Sequence, residues 1–257
     1  MMIDPINLKK SDTVVVFVHG IIEGPNQFED FIEKAKDKVD TVNLLLPGHG
    51  ATGKDFAKSS LKEWKQHVFK TVEGLEENYK HIILVGHSMG TLLAIECAMH
   101  YPQSIKALFL LAIPLCIRLK YQGMINSLKV ALDLVKAEDT LAVAAKKACS
   151  IERQPLLYYV TWLPRYVELF RIAYTTRQLV SQLKLPIFIF QSEQDEFVSM
   201  RSLKYFKGMK NVQIATLKES GHFYYVEEER TDILKHFQAL LDKEREENKY
   251  ENRTRNV

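Results

Sequence analysis

Ile82-Ile83-Leu84-Val85-Gly86-His87-Ser88-Met89-Gly90 is the stretch that decides the fold. Its four leading apolar residues read as a short buried strand. The Gly-x-Ser-x-Gly that follows runs into Thr91-Leu92-Leu93-Ala94-Ile95-Glu96-Cys97-Ala98, which reads as a helix. A serine flanked by glycines between a strand and a helix is the context of a nucleophile elbow. A turn this sharp forces Ser88 into strained backbone angles. The chain passes so close on either side that only hydrogen fits at Gly86 and Gly90. The turn lifts the Ser88 hydroxyl clear of the backbone. It also sets the free N–H groups and partial positive charge of a helix N-terminus beneath any oxyanion formed there. An ordinary glycine-rich turn between strand and helix is the alternative.

Outward from this stretch, strands and helices alternate. Thr13–Val18 is an unalternated β-branched run ending in His19-Gly20, as suits a strand buried on both faces of a parallel sheet. Phe28–Ala35 has helical spacing, and Thr41–Leu46 is the next strand, closed by Pro47-Gly48-His49-Gly50. Ser60-Leu61-Lys62-Glu63 is a capping box, opening a helix with Leu61, Trp64, Val68, Val72 and Leu75 on one face. Strands are predicted at Ala107–Ile113, Pro186–Phe190 and Val212–Leu217, with a helix over Ser199–Lys207. A last helix starts near Tyr225, and its buried face carries Ile233, Phe237, Leu240 and Leu241. The charged tail Asp242–Val257 is expected to fray. The pattern predicts an α/β protein: a mostly parallel sheet of about six core strands with helices on both faces. One segment breaks the alternation. Between Pro114 and Leu185 there are helical patterns and no strand, so residues 1–113 and 186–257 are expected to form the core and 114–185 a helical cap over the strands' C-terminal ends.

Bulk properties exclude several classes. A net charge of +3 over 257 residues is too slight to suggest a nucleic-acid partner. The three cysteines, Cys97, Cys116 and Cys149, are odd in number, widely spaced and without a C-x-x-C, which argues against a disulfide framework or a zinc site. Met1–Lys10 has no apolar signal core, and the longest apolar run, Ala107–Ile117, is too short to span a bilayer. A cytoplasmic protein without an integral membrane segment is the expectation. Charge is uneven: Leu115–Leu185 holds eleven Lys/Arg against five Asp/Glu. That excess reads as a solvated helical surface, or as a cap that makes weak contact with an anionic ligand or surface.

A serine hydroxyl needs a base at neutral pH, and in open α/β sheets reactive groups gather at the strands' C-terminal ends. Gln191-Ser192-Glu193-Gln194-Asp195-Glu196-Phe197-Val198 follows one late strand, and Ser220-Gly221-His222 follows the last. Ser88, Asp195 and His222 are therefore the candidate catalytic residues, in the chain order Ser…Asp/Glu…His. Glu193 and Glu196 compete with Asp195 for the acid. His19 and His49 read as structural, and His87 as packing or bonding locally. Tyr158 and Trp162 could line a substrate pocket or equally form cap core.

With these residues in place the sequence resembles the α/β-hydrolase fold family over nearly its whole length. The likeness rests on His19-Gly20, Pro47-Gly48-His49-Gly50, Gly86-His87-Ser88-Met89-Gly90, Asp195-x-x-Val198 and Gly221-His222. It is most similar to the branch of carboxylesterases, monoacylglycerol lipases and serine-aminopeptidase-like hydrolases. The resemblance implies acyl hydrolysis through an acyl-enzyme, with no cofactor and no metal. It also implies an oxyanion hole made by the backbone N–H groups of Ile21 and Met89. The expected substrate is a small-molecule ester of short-to-medium acyl chain. Amide or peptide hydrolysis on the same site, a cofactor-free haloperoxidase-like or lyase activity, and a non-catalytic small-ligand receptor are the alternatives. Two departures stand out. The family's N-terminal hairpin is shortened or absent. The loop after Gly20 reads Ile21-Ile22-Glu23-Gly24 where the family has an aromatic and a nearby glycine, which puts a charge near the mouth of the site.

Overall fold

The computed structural model describes residues 11–255, with side chains as far as 246. The reading of Met1–Lys10 lies outside the described residues. Six strands form one sheet: β1 Thr13–Val18, β2 Asp40–Asn43, β3 His81–His87, β4 Ile105–Leu111, β5 Ile187–Ser192 and β6 Val212–Leu217, in the order β2-β1-β3-β4-β5-β6. Every pairing is parallel. β1 and β3 are buried along their whole lengths, which is why their sequences run apolar without alternation.

Alternate residues of each strand feed two cores. Val14, Val16 and Val18 face α2 (Gly53–Lys58), α3 (Leu61–Glu76) and α4 (Met89–His100) through Phe56, Trp64, Val68 and Leu92. Val15 and Phe17 face α1 (Glu29–Ala35) and α8 (Glu227–Arg255) through Phe31, Ile233, Phe237 and Leu241. That second core is built on aromatic contacts such as Phe31–Phe237, with ring centroids 5.2 Å apart, and Phe17–Phe28, at 5.1 Å.

Several boundaries differ from the sequence reading. The strand expected at Ala107–Ile113 is β4, Ile105–Leu111, because the chain turns at Ala112 with φ 53°. The second strand ends at Asn43, because Leu44 and Leu46 turn into the core as the chain leaves for Pro47. The helix expected over Ser199–Lys207 is a 3-10 helix, Met200–Phe206, opened by the Ser199 side chain accepting from the Arg201 N–H. The expected frayed tail continues α8 instead, as far as Arg255. Buried Leu240 and Leu241 hold this part of the helix down, and Glu244 is buried beside His81, 3.3 Å from its Nδ1. Ser60 caps α3 as expected, but Glu63 accepts from the Ser60 hydroxyl rather than closing the reciprocal box; the full box is at Thr52 and Asp55 on α2.

Between β4 and β5 the chain forms α5 (Tyr121–Leu132), α6 (Thr140–Ala148), a 3-10 helix (Leu156–Trp162) and α7 (Leu163–Thr176). The strand order reverses between β1 and β3, so the loops leaving their C-terminal ends part and open a crevice there, where α/β sheets place ligands. Among the described residues, no helix is long and apolar enough to cross a membrane.

Candidate active site

Ser88 sits between β3 and α4 with φ 50° and ψ −123°, a conformation no unstrained serine adopts. Such angles cost on the order of 1–3 kcal/mol and persist only where the surroundings impose them. The surroundings here are tight. A Cβ on Gly90 would lie 1.9 Å from the Val18 carbonyl oxygen, and one on Gly86 would lie 2.7 Å from the Thr91 nitrogen. The elbow is thus clamped between β1 and its own helix. The Ser88 N–H donates to the Leu111 carbonyl at 2.9 Å, tying the turn to the end of β4.

The loop after β5 supplies the carboxylate that meets His222. Asp195 Oδ1 accepts from the N–H groups of Phe197 and Val198, both at 2.8 Å. This Asx-type turn aims Oδ2 at His222 Nδ1, 2.8 Å away. His222 Nε2 lies 3.1 Å from Ser88 Oγ. Of the three carboxylates in the loop, Asp195 is the one bonded to the ring. Glu196 accepts from the backbone N–H of His222 at 2.7 Å, and Glu193 is exposed. Burial drives the pKa of His222 down, but the charge and hydrogen bond of Asp195, followed by Glu23 and Glu196, outweigh it and leave the ring above its ordinary 6.5.

His19 and His49 brace the loop after β1. His19 Nδ1–H donates to the Gly20 carbonyl at 2.9 Å while Nε2 accepts from the Leu46 N–H at 3.0 Å. Burial lowers its pKa to about 3, so it stays neutral. His49 Nε2–H donates to the Ile21 carbonyl at 2.6 Å. The loop that bears the Ile21 N–H is therefore pinned through its carbonyls, and Met89 opens α4 on the other side of Ser88.

The sequence reading missed how Glu23 would be used. The charge expected near the mouth is buried and bonded to His87 Nδ1 at 2.8 Å. Nothing local in the sequence marks this, since the partners are 64 residues apart.

The chain between β4 and β5 is stitched to both loops. Arg118 and Lys120 donate their N–H groups to the carbonyls of Phe197 and Glu196, each at 2.8 Å. Glu23 and Cys149 form an antiparallel bridge, with the Ser150 N–H on the Ile22 carbonyl at 3.0 Å. Trp162, expected as core or pocket, is buried: its Nε1–H donates to the Gly53 carbonyl at 3.1 Å, and its ring packs on Phe56 and Tyr159. It anchors the insertion to α2. Tyr158 is half-buried in the same 3-10 helix. A cleft of about 290 Å³ opens beside His87, lined in part by Asn26, Phe28, Leu111, Lys147 and Phe223. Ser88 and His222 are not among its walls.

Among the described residues, the ligand atoms of Glu23, His87 and His222 lie within 4.8 Å of one another. Their bonding does not suit a resident metal ion. Glu23 and His87 already meet directly, and His222 Nε2 faces Ser88. An ion would have to break both contacts.

The chain is similar to several known hydrolases. A solved structure from work on LipS and LipT, two metagenome-derived lipolytic enzymes, superposes with a TM-score of 0.68 at 19% identity, over 91% of this chain and 95% of that one. At that identity the likeness shows the fold. The thermostable monoacylglycerol lipase of Bacillus sp. (strain H-257) is 22% identical over 85% of this chain and 86% of its own length. The probable lysophospholipase BODYGUARD 2 of Arabidopsis thaliana is 31% identical over 43% of this chain; the match spans about a quarter of that protein, 24%. The sequence profile of the serine aminopeptidase S33 family matches residues 9–229. With that match running from the strand before His19-Gly20 past His222, the chain belongs to the serine aminopeptidase S33 family of α/β-hydrolases.

Proposed function

We infer that the protein is a serine hydrolase of carboxylic esters, using Ser88, His222 and Asp195. The observation that carries this reading is the unbroken run of hydrogen bonds from Ser88 Oγ through the His222 ring to Asp195, on a strained elbow. Ser88 Oγ attacks the ester carbonyl carbon as its proton passes to His222 Nε2. The carbonyl oxygen becomes an oxyanion held by the N–H groups of Ile21 and Met89. Collapse expels the alcohol, which takes the proton from His222 and leaves acyl-Ser88. Water then attacks the acyl group with His222 again as base, releasing the acid.

Ester is favoured over peptide by the carboxylates. An aminopeptidase must hold a cationic amine. Here the buried acids beside His222 are each committed: Asp195 to the ring, Glu196 to the His222 N–H, and Glu23 to His87. The insertion supports an apolar substrate. It exposes Met124, Leu128 and Leu132 along α5, and Leu157, Val160 and Phe170 along the 3-10 helix and α7. We read residues 114–185 as a cap whose apolar faces receive the acyl chain, with Tyr158 at their edge. Its basic excess would draw an anionic substrate or surface to the same face, a capture that salt should weaken.

The test is a matched panel of esters and amides, with Ser88→Ala as control. Esters should be cleaved and amides of the same acyl group should not; the reverse preference would replace this reading with peptide hydrolysis. Each buried methylene is worth about 0.8 kcal/mol, roughly fourfold in kcat/KM. The rate should therefore climb over short chains and fall once the pocket is full. Replacing Met124, Leu128 and Leu132 together with Ser should flatten that climb while leaving acetyl-ester turnover intact. Excising the insertion is a poorer test, because Leu169 and Ile172 of α7 belong to the core against the sheet. EDTA should leave the rate unchanged, since every proposed step runs through side chains and backbone N–H groups.

A further inference from the structure

Glu23 lies three residues after Gly20 and is 2% exposed. Its carboxylate accepts from the Gly20 N–H at 2.6 Å and from Gln27 Nε2 at 2.5 Å. Both of its oxygens lie within 2.9 Å of His87 Nδ1, and Oε1 is 3.9 Å from His222 Nε2. The other nitrogen of His87, Nε2, lies 3.0 Å from the carbonyl oxygen of His222. A carbonyl can only accept, and a carboxylate already taking two N–H donors is itself an acceptor. The His87 ring thus faces an acceptor at each nitrogen, and only the form with a proton on both satisfies them.

We propose that Glu23 and His87 form a buried ion pair that serves the triad as positioning residues, holding the Ile21 loop and the His222 backbone in register and placing a carboxylate beside the edge of His222 that receives the Ser88 proton. This deepens the serine-hydrolase reading and rests on it. Three things follow from one side chain. The Gly20 N–H contact fixes the turn that carries Ile21. His87 carries the link on to the His222 carbonyl. The charge at Oε1 favours the imidazolium that forms during attack. Glu23 takes up no proton itself: the proton goes from Ser88 to His222 and on to the leaving alcohol.

The electrostatics agree. Burial would raise the Glu23 pKa, but the charge and hydrogen bond of His87, then His222 and Gln27, bring it down to about 2. His19, His49, Cys149 and Tyr225 also feel this carboxylate, and burial holds all four neutral. The charged groups around His222 are Asp195 and Glu196 after β5, Glu23 after β1 and His87 at the end of β3. His222 must be unprotonated to act as base, so kcat/KM rises with pH through its pKa, which lies above 6.5.

The experiment begins with nitrogen-15 spectra of the histidine rings in the unmodified protein. His87 should show a proton on both nitrogens, as its two acceptors require; a neutral His87 overturns the pair. The near-isosteric Glu23→Gln offers an amide N–H to His87 Nδ1, so the ring should become a neutral Nε2–H tautomer. The acid limb of kcat/KM should then move down by about half to one pH unit, the loss of Glu23 being partly offset by loss of the His87 charge. Glu23→Asp, which keeps the charge, should hold the limb near its original place. A limb that stays put or rises in Glu23→Gln defeats the electrostatic role. Fluorophosphonate labelling of the unmodified protein separates the two readings. Failure to label Ser88 counts against the hydrolase, while the His87 spectrum still decides the pair.

Discussion

Ser88→Ala should lower kcat about a million-fold, His222→Ala should cost about as much, and the double variant little more. The non-additivity follows from the geometry. Ser88 Oγ is a nucleophile only while His222 Nε2, 3.1 Å away, can take its proton. His222 in turn has no proton to deliver to the leaving alcohol unless Ser88 has supplied one. Either loss removes the whole covalent route and leaves whatever the oxyanion donors achieve alone. The fold should survive both changes, because the strain at Ser88 is imposed by Gly86, Gly90 and the Val18 carbonyl rather than by the hydroxyl. Rapid-quench mass spectrometry with an activated ester should find the acyl group on Ser88 in the unmodified enzyme and nowhere in Ser88→Ala. Retained turnover in Ser88→Ala would falsify the nucleophile.

Asp195→Asn should cost roughly ten-thousand-fold in kcat with stability little changed. Asp195 Oδ1 is held by two backbone N–H donors, from Phe197 and Val198. Asn would keep its carbonyl oxygen there and turn its amide NH₂ to the position of Oδ2, facing His222 Nδ1. A donor at that point forces Nδ1 to be an acceptor and moves the ring proton to Nε2. There it cannot accept the Ser88 proton. Glu193→Gln, at an exposed site, should be close to silent. Glu196→Gln keeps an oxygen for the His222 N–H and should cost far less than Asp195→Asn. A larger loss at Glu193 or Glu196 would move the acid to that residue.

Much of this was legible before any coordinates. The unbroken apolar runs at Val14–Val18 and Ile82–Val85 required strands buried on both faces, and glycines at 86 and 90 required a close-passing turn. Those are local steric and burial demands, written in neighbouring residues. The candidate triad was legible in the same way, because each member follows a strand whose C-terminal end must face the crevice. Less legible were the ends of elements, such as β2 at Asn43 and α8 running on past Asp242. There the outcome depends on distant partners: Leu44 and Leu46 turning into the core, and Glu244 packing beside His81.

What only the tertiary structure decided is the use of each polar group around the candidate triad. Composition and spacing left three carboxylates within reach of His222, and the two N–H groups aimed at Asp195 Oδ1 select one. Trp162 could have faced substrate or core, and its contact with Phe56 spends the ring on the core. Glu23 read as a charge near the mouth of the site, yet it ends beneath the site against His87, a residue on another strand. Its burial is tolerable because three donors converge on it, from Gly20, Gln27 and His87. A buried carboxylate without them would cost several kcal/mol. Donors from the turn after β1 and from the end of β3 meet only because the sheet order sets β1 beside β3.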